Sequence, residues 1–492
     1  MSLSFDPDKI RADAPHFIDG RRVADGDGAE IEVRRPSDLR VVTSIKAAGE
    51  ETVDRAARSA VAALGESRWA GRNPRDRAAV LIRFADLVVR NVEELARLEA
   101  WSSTRLIAET VPRDVVRTAE IIRYYGEQAD KIEGVLTTTA ADATCMIVHE
   151  PYGVVGAIIP WNFPLINAAM KVAPALVAGN AVLLKPSELT PFSAVRLAEL
   201  AVEAGLPAGL FNVLQGGGAT GSAIVRHPAV GKVSFTGSTA TGRRILEDAA
   251  AGTKPATLEL GGKSPIVVLP DVRDRARLAG LIANAFTYNG GQVCTAGTRL
   301  IVHRAQADEL IDRVAAIVAT RRPGPTWDDT SSLSPIVSER QAARAESLLK
   351  GTVAAGATIR LGGRRHAGAN AGIFLEPTVL EGVGPSSPGF LEEFFAPILA
   401  VYRYDDEEEA IALAYHPLYA LAASLHTDDA AKAMALPRRI EAGFVWVNAH
   451  GRAPESTAPQ GGFRGSGYGK DMGRAGLEAY LRQKTVWHSH SM

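Results

Sequence analysis

Cys294 is one of only two cysteines in the 492-residue chain, and it lies in a glycine-rich stretch, residues 288–297. An apolar run, Leu300-Ile301-Val302, follows directly. A structural cysteine is normally buried inside an apolar segment, whereas a cysteine in a loop between glycines can meet a substrate and act as a nucleophile. The alternative is a free cysteine that happens to occupy a turn, and taken alone the stretch favours that alternative.

Glu259 is the second residue whose surroundings suggest chemistry. It is a single carboxylate among apolar residues and glycines, in Leu258-Glu259-Leu260-Gly261-Gly262. Burial disfavours the charged form of a carboxylate and raises its pKa towards values that suit a general base. A glutamate paired with Lys263 or Lys254 is the alternative.

Two glycine motifs are of a type that binds the phosphates of a nucleotide. The spacing Gly216-x-Gly218-x-x-Gly221 matches the dinucleotide fingerprint, although a chain with 46 glycines produces such a match easily by chance. In the competing motif, Phe235-Thr236-Gly237-Ser238, a strand also runs into a helix. Ser238 or Thr239 is expected to cap that helix while its backbone N–H groups face a phosphate. An ordinary strand-to-helix turn is the alternative there.

Lys185 and Glu188 lie at the end of another strand-like run. Both side chains can hydrogen-bond vicinal ribose hydroxyls, and a carboxylate would also repel a 2′-phosphate, which favours NAD over NADP. Taken alone, a residue such as Glu188 is more often an acid at a helix N-terminus.

Apolar periodicity predicts the elements that would position these residues. Continuous apolar runs, typical of strands buried on both faces of a parallel sheet, occupy residues 154–160, 181–185, 211–214 and 232–235. Helical stretches such as 193–204 lie between them. This alternation predicts a doubly wound α/β sheet that binds ligands at the carboxyl ends of its strands. A second α/β unit is predicted to begin near Leu258.

The remaining segments predict helices and a projecting pair of strands. Apolar residues recur at helical spacing over residues 52–64, 75–101 and 113–130. Asn73 and Pro74 mark the start of the second of these helices. Residues 131–150 are typical of two strands joined at a glycine turn. The extended run 485–488 has no partner nearby in the sequence, so we expect it to pair across subunits.

Composition excludes several classes of protein. The formal net charge is −1, 46% of the residues are hydrophobic and 23% are charged, so neither a nucleic acid nor a membrane is expected as a partner. Two cysteines exclude a disulfide framework and suit a reducing compartment. At roughly 150 residues per domain, the length predicts two to four domains. We expect a cytoplasmic enzyme with no signal peptide, no membrane span and no metal site.

Six motifs, in order along the chain, resemble those of the NAD(P)-dependent aldehyde dehydrogenase superfamily. The resemblance runs from about residue 15 to the C-terminus, and so many ordered matches do not arise from turns and helix caps alone. The motifs are Pro160-Trp161-Asn162-Phe163-Pro164, Lys185-Pro186-Ser187-Glu188, Phe235-Thr236-Gly237-Ser238, Glu259-Leu260-Gly261-Gly262-Lys263, Gly291-Gln292-Val293-Cys294 and Gly461-Gly462-Phe463-Arg464-Gly465-Ser466-Gly467.

The resemblance implies how the site residues act. Cys294 attacks the aldehyde carbonyl to give a thiohemiacetal, and Asn162 forms an oxyanion hole with the backbone N–H of Cys294. Hydride transfer to NAD leaves a thioester, which Glu259 hydrolyses by activating water. The alternatives are a relative that passes the acyl group to CoA and a non-catalytic binding or structural relative. Glu259 argues against the first, and the intact set of three residues argues against the second.

The resemblance also implies the cofactor contacts, with NAD preferred and NADP less favoured. Gly237 and Ser238 open the helix that binds the pyrophosphate, so the motif at 216–221 becomes a neighbouring loop. The full set of cofactor contacts is Ile158, Pro160, Trp161, Lys185, Ser187, Glu188, Gly217, Gly221, Phe235, Gly237, Ser238, Leu260, Glu393 and Phe395.

The sequence departs from the family pattern at two places. Ala396, beside Glu393 and Phe395, occupies a position where the family usually has glycine, and its methyl group is expected to shift the loop slightly. Ser102-Ser103-Thr104-Arg105 replaces a Gly-Lys-Pro-type turn, in a region that we expect to lie away from the chemistry.

The resemblance predicts an α/β fold of three parts. These are a Rossmann-like parallel-sheet cofactor domain (1–130 and 151–257), a second α/β catalytic domain (258–472) and a small β oligomerisation extension (131–150 and 473–492). The extension predicts a homodimer or homotetramer.

The resemblance favours a short polar or amino aldehyde as the substrate. Residues 465–472 are similar to the corresponding stretch of bacterial aminobutyraldehyde and betaine aldehyde dehydrogenases. Aromatic aldehydes and semialdehydes remain open, with Arg452 and Arg464 as candidates for binding a substrate carboxylate. The implied pocket lining is Phe163, Asn167, Met170, Val293, Thr295 and the segment 450–460.

Overall fold

The computed structural model describes residues 2–367, 372–451 and 455–490. The strands are β1 His16–Ile18, β2 Arg21–Val23, β3 Glu30–Arg34, β4 Val41–Lys46, β5 Val135–Thr137, β6 Ala143–Pro151, β7 Val154–Ile158, β8 Ala181–Lys185, β9 Phe211–Val213, β10 Val230–Thr236, β11 Ala256–Glu259, β12 Ser264–Val268, β13 Gly297–His303, β14 Thr358–Leu361, β15 Thr378–Glu381, β16 Ile398–Tyr404, β17 Tyr419–Ala420, β18 Ala422–His426, β19 Phe444–Val447, β20 Phe463–Arg464, β21 Gly467–Tyr468 and β22 Leu481–Ser489.

The helices alternate with these strands over most of the chain. They are α1 Glu50–Ser67, α2 Pro74–Arg90, α3 Val92–Ser102, α4 Ile107–Glu109, α5 Val116–Glu127, α6 Pro164–Val177, α7 Phe192–Glu203, α8 Gly218–Arg226, α9 Thr239–Ala251, α10 Arg275–Thr287, α11 Arg304–Val318, α12 Glu339–Ala354, α13 Pro388–Leu391, α14 Glu407–Ala414, α15 Ala430–Ala435 and α16 Gly473–Glu478. Within the described ranges, none of them is long and apolar enough to cross a membrane.

The first large sheet confirms the predicted doubly wound α/β unit. Its strand order across the described residues is β2-β1-β9-β8-β7-β10-β11-β21, and the strands from β9 to β11 are parallel. β7 and β8 are buried along their whole length, as their continuous apolar sequences require. The short strands β2, β1 and β21 complete the two edges in antiparallel orientation.

The second large sheet has the order β14-β15-β16-β13-β12-β18-β19 in the part of the chain that the structure describes. It begins later than the sequence predicts. β11 still belongs to the first sheet, where Glu259 pairs with Thr236 of β10. The chain crosses to the second sheet only through Gly261 and Gly262, before β12. The predicted start near Leu258 therefore falls inside the last parallel strand of the first sheet.

Two predicted helices differ from the observed ones. The prediction over 75–101 is interrupted at Asn91, whose side-chain Nδ2 and backbone N–H both donate to Leu87 O and so end α2. The prediction over 113–130 begins as a π-helical turn at Thr110–Val115, which contains Pro112 and therefore lacks one N–H donor. Asn73 caps α2 as predicted, by accepting from the N–H of Arg75 at 3.0 Å.

A three-stranded sheet projects from the first unit and confirms the strand pair predicted over 131–150. β6 pairs with β5 on one side and with β22 on the other. The β22 pairing runs in register from Leu481 with Pro151 to Ser489 with Ala143. The C-terminal strand thus finds a partner in the same chain, and β22 lies at the edge of this sheet in the described part of the chain. Its pairing across subunits stays a prediction.

Candidate active site

The Cys294 loop, residues 288–296, connects α10 to β13. It begins with a tight turn in which Asn289, Gly290 and Gly291 have φ angles of 51°, 61° and 72°. A Cβ atom at Gly291 would lie 2.3 Å from the carbonyl group of Ala396. Position 291 therefore requires glycine, because its φ angle is positive and a side chain would clash with Ala396. The turn holds the partly buried Cys294 at the end of the second sheet.

The Asn162 loop, residues 159–163, leaves the carboxyl end of β7 and packs against the Cys294 loop. Asn162 Nδ2 donates to Gln292 O at 3.0 Å, and Asn289 Nδ2 donates to Asn162 O at 3.2 Å. A carboxamide carries two N–H donors, so the second hydrogen of Asn162 Nδ2 is available to another acceptor. The backbone N–H of Cys294 donates to no backbone carbonyl among the described residues. Two donors are thus available for a developing oxyanion.

Glu259 ends β11 and is nearly buried, with 9% of its surface exposed. Its Oε1 has no hydrogen-bond partner in the described part of the chain. The two lysines of the alternative interpretation bond elsewhere: Lys263 donates to Glu392 O at 2.8 Å, and Lys254 donates to Val225 O and His227 O. The structure therefore favours a buried carboxylate that is not ion-paired with either of these two lysines.

A buried ion pair lies beside Glu259. Lys171 Nζ donates to Asp471 Oδ2 at 3.0 Å and to Ser234 Oγ at 3.0 Å, and Lys171 and Asp471 are both buried. Burial and the charge of Asp471 together raise the pKa of Glu259 well above its usual range, against the opposing charge of Lys171. Glu259 consequently accepts a proton more readily than an exposed glutamate.

The Cys294 thiol lies in a field that disfavours the thiolate. Burial raises its pKa to about 12, and the carboxylates of Glu393 and Glu259 add to the rise. Gly262 connects these groups, because its N–H donates to Glu393 Oε1 at 3.4 Å and a Cβ there would lie 2.4 Å from Cys294 O. Burial raises the pKa of Glu393 itself to about 7.

The carboxyl ends of β7, β8 and β10 lie side by side in the first sheet, where the sequence predicts a nucleotide-binding groove. Lys185, at the end of β8, donates from Nζ to Pro186 O and Gly216 O, and its Nζ lies 3.9 Å from Glu188 Oε2. Burial lowers the pKa of Lys185. Ser187 accepts from the N–H of Leu189 through its Oγ and so shapes the turn between the lysine and the glutamate.

The helix α9 begins at this groove as the sequence predicts. Ser238 is its N-cap and accepts from the N–H of Thr241 at 3.2 Å. The N–H of Gly237 donates to Glu259 O at 3.0 Å, and a Cβ at Gly237 would lie 2.6 Å from the Phe235 ring. The pyrophosphate motif and the candidate base are thus joined directly through the backbone.

The other predicted cofactor residues lie around the same groove. A Cβ at Gly221 would meet Ile158 Cδ1 at 3.4 Å, whereas a Cβ at Gly217 would meet nothing within 4 Å. Leu260 is buried and packs beneath Gly242 of α9. The fingerprint glycines 216–221 lead into α8 beside the groove, next to the α9 motif.

Pro160 and Trp161 open the Asn162 loop, and Trp161 faces Phe395 at a ring-centroid distance of 5.3 Å, edge to face. Phe395 has a φ angle of 51°, and its carbonyl accepts from Gln341 Nε2 at 3.1 Å. Ala396 is buried in an apolar cluster with 0% of its surface exposed. The methyl group at this position is therefore packed in the core behind Phe395.

Three positioning groups have no clear signal in the sequence. Gln292 is buried, donates from Nε2 to Asn289 O and Pro335 O, and accepts from the N–H of Val337. Thr104 donates to Asn289 Oδ1 at 2.7 Å. The expectation that residues 102–105 lie away from the chemistry is therefore wrong: they contact the Cys294 loop.

His450 is the third such group. One ring nitrogen lies 2.9 Å from Thr295 O and the other 2.9 Å from Ser424 Oγ, and burial lowers the pKa of His450 to about 4. Its ring is neutral, and its two nitrogens contact Thr295 O of the Cys294 loop and Ser424 Oγ. His450, the first residue of the predicted pocket lining over 450–460, is therefore already hydrogen-bonded within the protein.

Of the two candidate carboxylate-binding arginines, the structure describes Arg464, whose guanidinium already has partners. Arg464 is paired with Glu441 and also donates to Tyr415 Oη at 2.6 Å. Arg452 lies outside the described residues. In the predicted pocket lining, Asn167 donates from Nδ2 to Phe163 O at 2.9 Å, which ties its amide to its own helix.

Comparisons with known proteins agree on one family. The sequence model of the aldehyde dehydrogenase family matches residues 23–486. The aminoacetaldehyde dehydrogenase of Pseudomonas aeruginosa is 41% identical over 475 residues, which cover 96% of this chain and 95% of that protein.

Solved structures extend the agreement to the fold. An indole-3-acetaldehyde dehydrogenase in complex with NAD+ has a TM-score of 0.95 and 36% identity, with 98% of each chain covered. The gamma-glutamyl-gamma-aminobutyraldehyde dehydrogenase of Burkholderia cenocepacia J2315 has a TM-score of 0.95 and 38% identity, again with 98% of each chain covered.

Proposed function

This chain belongs to the aldehyde dehydrogenase family and oxidises an aldehyde to a carboxylic acid with NAD, and we propose that Cys294, Asn162 and Glu259 carry out the reaction. One observation supports this assignment above the others. At the ends of two sheets the chain has a partly buried cysteine in a loop, an amide with a spare N–H donor and a buried carboxylate whose Oε1 has no hydrogen-bond partner among the described residues.

In the first half of the reaction, Cys294 Sγ attacks the aldehyde carbon, and the thiol proton passes to solvent. The carbonyl oxygen gains negative charge, which the N–H of Cys294 and Asn162 Nδ2 stabilise because both donors are already oriented by the backbone. NAD, when bound, accepts the hydride that leaves the thiohemiacetal carbon. The acyl group then remains on Cys294 as a thioester.

In the second half, Glu259 takes a proton from a water molecule that attacks the thioester carbon. Its raised pKa makes it a stronger base than an exposed glutamate, at the cost of being ionised less often near neutral pH. The thiol of Cys294 leaves and is reprotonated, which its own raised pKa favours. The carboxylic acid is released.

The groove has the groups that a dinucleotide requires. The N-terminus of α9, with Gly237 and the cap Ser238, presents backbone N–H groups to the pyrophosphate. Lys185 and Glu188 would hold the adenosine ribose hydroxyls, and Glu188 would disfavour the 2′-phosphate of NADP. Glu393 and Phe395 would hold the nicotinamide ribose and ring, beside Trp161.

We assign the substrate as a short polar or amino aldehyde. The names of two similar proteins support this class, since one is an aminoacetaldehyde dehydrogenase and the other a gamma-glutamyl-gamma-aminobutyraldehyde dehydrogenase. The pairing of Arg464 with Glu441 is consistent with this class, because the guanidinium already has a carboxylate partner within the protein.

The assembly and the domain division are also proposals. The projecting sheet exposes Val135, Leu136, Met146 and Trp487, and an apolar surface of this kind supports a homodimer or homotetramer. Because β11 belongs to the first sheet, residues 1–130 and 151–260 would form the cofactor domain and 261–472 the catalytic domain. The strands within 131–150 and 473–492 would form the oligomerisation extension. The two free cysteines support a cytoplasmic location.

The test is NADH formation by the purified protein from a panel of aldehydes without CoA. Cys294→Ala should abolish NADH formation while NAD binding is retained. Glu259→Gln should give a burst of NADH followed by turnover slower by about 10² or more, because a positioned base contributes that much. NADH formation only when CoA is present, or retained turnover in Cys294→Ala, would refute the assignment.

A further inference from the structure

The turn formed by Ser103, Thr104 and Arg105 lies directly beneath the two loops of the site. All three residues have 0% of their surface exposed. Ser103 donates to Glu99 O from both its N–H and its Oγ, at 2.9 and 2.7 Å, and Ser103 Oγ accepts from the N–H of Arg105. The turn is therefore fixed to the end of α3 and can act as a support for other groups.

Thr104 is connected to Asn162 through one intervening side chain. Its hydroxyl donates to Asn289 Oδ1 at 2.7 Å, and Asn289 Nδ2 donates to Asn162 O at 3.2 Å. The threonine thereby sets which end of the Asn289 amide faces the Asn162 loop. Asn289 has a positive φ angle of 51° within the Cys294 loop, so the same bond also stabilises a strained turn.

Arg105 contacts both loops at once. Its guanidinium carbon lies 4.5 Å from the centre of the Phe163 ring and 4.7 Å from that of Tyr288, and its Nη2 donates to Tyr288 Oη at 2.6 Å. Two further bonds, of 2.7 and 3.1 Å, join it to the buried carboxylate of Asp114. A planar guanidinium can make this fork and both ring contacts together, whereas a lysine ammonium cannot.

We propose that Thr104 and Arg105 are positioning residues. They hold the Asn162 side chain in the position relative to Cys294 that attack on the carbonyl requires. The proposal rests on the proposed function, because it acts through the oxyanion role of Asn162. It gives a role to a segment in which this chain departs from the family's usual Gly-Lys-Pro-type turn. The two residues touch neither substrate nor cofactor.

Acylation by p-nitrophenyl acetate tests the proposal without a cofactor. The Cys294 thiol loses its proton to solvent, Sγ attacks the ester carbonyl, a C–S bond forms, the C–O bond breaks, and p-nitrophenolate leaves with the negative charge. The rate of the first-turnover burst, corrected with Cys294→Ala, therefore reports attack and oxyanion stabilisation and not hydrolysis of the thioester. Thr104→Val keeps the shape of the side chain but removes its donor. We expect it to slow acylation about 10-fold, since small misplacements of catalytic groups have effects of up to about 10².

Three matched measurements separate positioning from general stability. Thr104→Ser, which restores the donor, should recover acylation to within about 2-fold. Thr427→Val is the control, because Thr427 is equally buried and donates to Asp271 Oδ2 at 2.6 Å away from the site; its rate should equal that of the wild type. Arg105→Lys keeps the charge beside Asp114 but cannot make both guanidinium bonds to that carboxylate, so it should slow acylation. Melting temperatures of all variants are recorded in parallel.

The decisive measurement is a double-mutant cycle with Asn162→Ala. If Thr104 acts through Asn162, Thr104→Val should slow acylation by less than about 2-fold once Asn162 is gone. Equal losses in both backgrounds, or no loss in either, would overturn the positioning role and leave the proposed function intact. An Asn162→Ala variant that acylates at the wild-type rate would instead overturn the oxyanion role itself, and the positioning role with it.

Discussion

The thiol of Cys294 should react far more slowly with an alkylating agent than an ordinary cysteine does, in the protein without cofactor. Burial and two carboxylates raise its pKa from 9.0 to about 12. Only the thiolate is nucleophilic. At about pH 8, a shift of this size lowers the thiolate fraction from roughly one in ten to roughly one in ten thousand. Alkylation by iodoacetamide should therefore be about 10³-fold slower than for a free thiol.

The carboxylates should act on this rate with a definite dependence on pH. Glu393, with its pKa of about 7, is neutral in acid and charged in base. Glu393→Gln should therefore leave alkylation unchanged below its pKa and accelerate it above. Glu392→Gln is the matched control, because that neighbouring carboxylate is exposed and does not contribute to the Cys294 shift.

The assay is a pH series of timed alkylations, stopped by excess thiol and read by mass spectrometry of the peptide containing Cys294. Cys145, in β6, is followed in the same digest. A Cys294 rate within about 10-fold of a model thiol at about pH 8, or a rate that Glu393→Gln does not change at any pH, would refute the electrostatic argument.

Two further predictions concern specificity and stability. Glu188→Gln should lower the ratio of kcat/KM for NAD to that for NADP, because repulsion of the 2′-phosphate is lost; an unchanged ratio would remove Glu188 from that role. Burial raises the pKa of Glu99 from 4.5 to about 8. The protonated side chain therefore makes its full contribution to the unfolding free energy below about pH 4.5. This contribution falls by about 1.4 kcal/mol per pH unit and is lost as the pH rises through about 8. Glu99→Gln should abolish that part of the decline in unfolding free energy, and identical pH profiles for variant and wild type would contradict it.

The parts of the fold with local signals were predictable from the sequence. The buried parallel strands appear as uninterrupted apolar runs, and the caps Asn73 and Ser238 appear as polar residues directly before a helix. The glycines around Cys294 predicted a loop, and the positive φ angles of Gly290 and Gly291 give the physical reason. The isolated carboxylate of Glu259 was predictable because its neighbours in sequence are apolar.

The parts that depend on distant pairings were not predictable in this way. Thr104 and Asn289 are separated by 185 residues, and neither residue type indicates from the sequence that the two side chains form a hydrogen bond. The break at Asn91 depends on one side chain, whose Nδ2 donates to the carbonyl of Leu87. The helical spacing of the apolar residues continues across the break, so the sequence pattern does not indicate it. Thr104 and Arg105 lie far from the six motifs along the sequence but contact the Cys294 loop in space, and distance along the sequence does not indicate such contacts.

The edge strands β21 and β22 bear on how this chain folds as it is synthesised. β11 carries Glu259 and has β21 as its edge partner, while β6 has β22, so both sheets are completed by segments that lie far downstream of these strands in the chain. Asn180 likewise donates to Tyr480 O across 300 residues. A nascent chain must therefore keep the edges of β11 and β6 open until residues 467–489 have been synthesised. Long-range pairing of this kind slows folding and exposes strand edges to misassembly in the meantime.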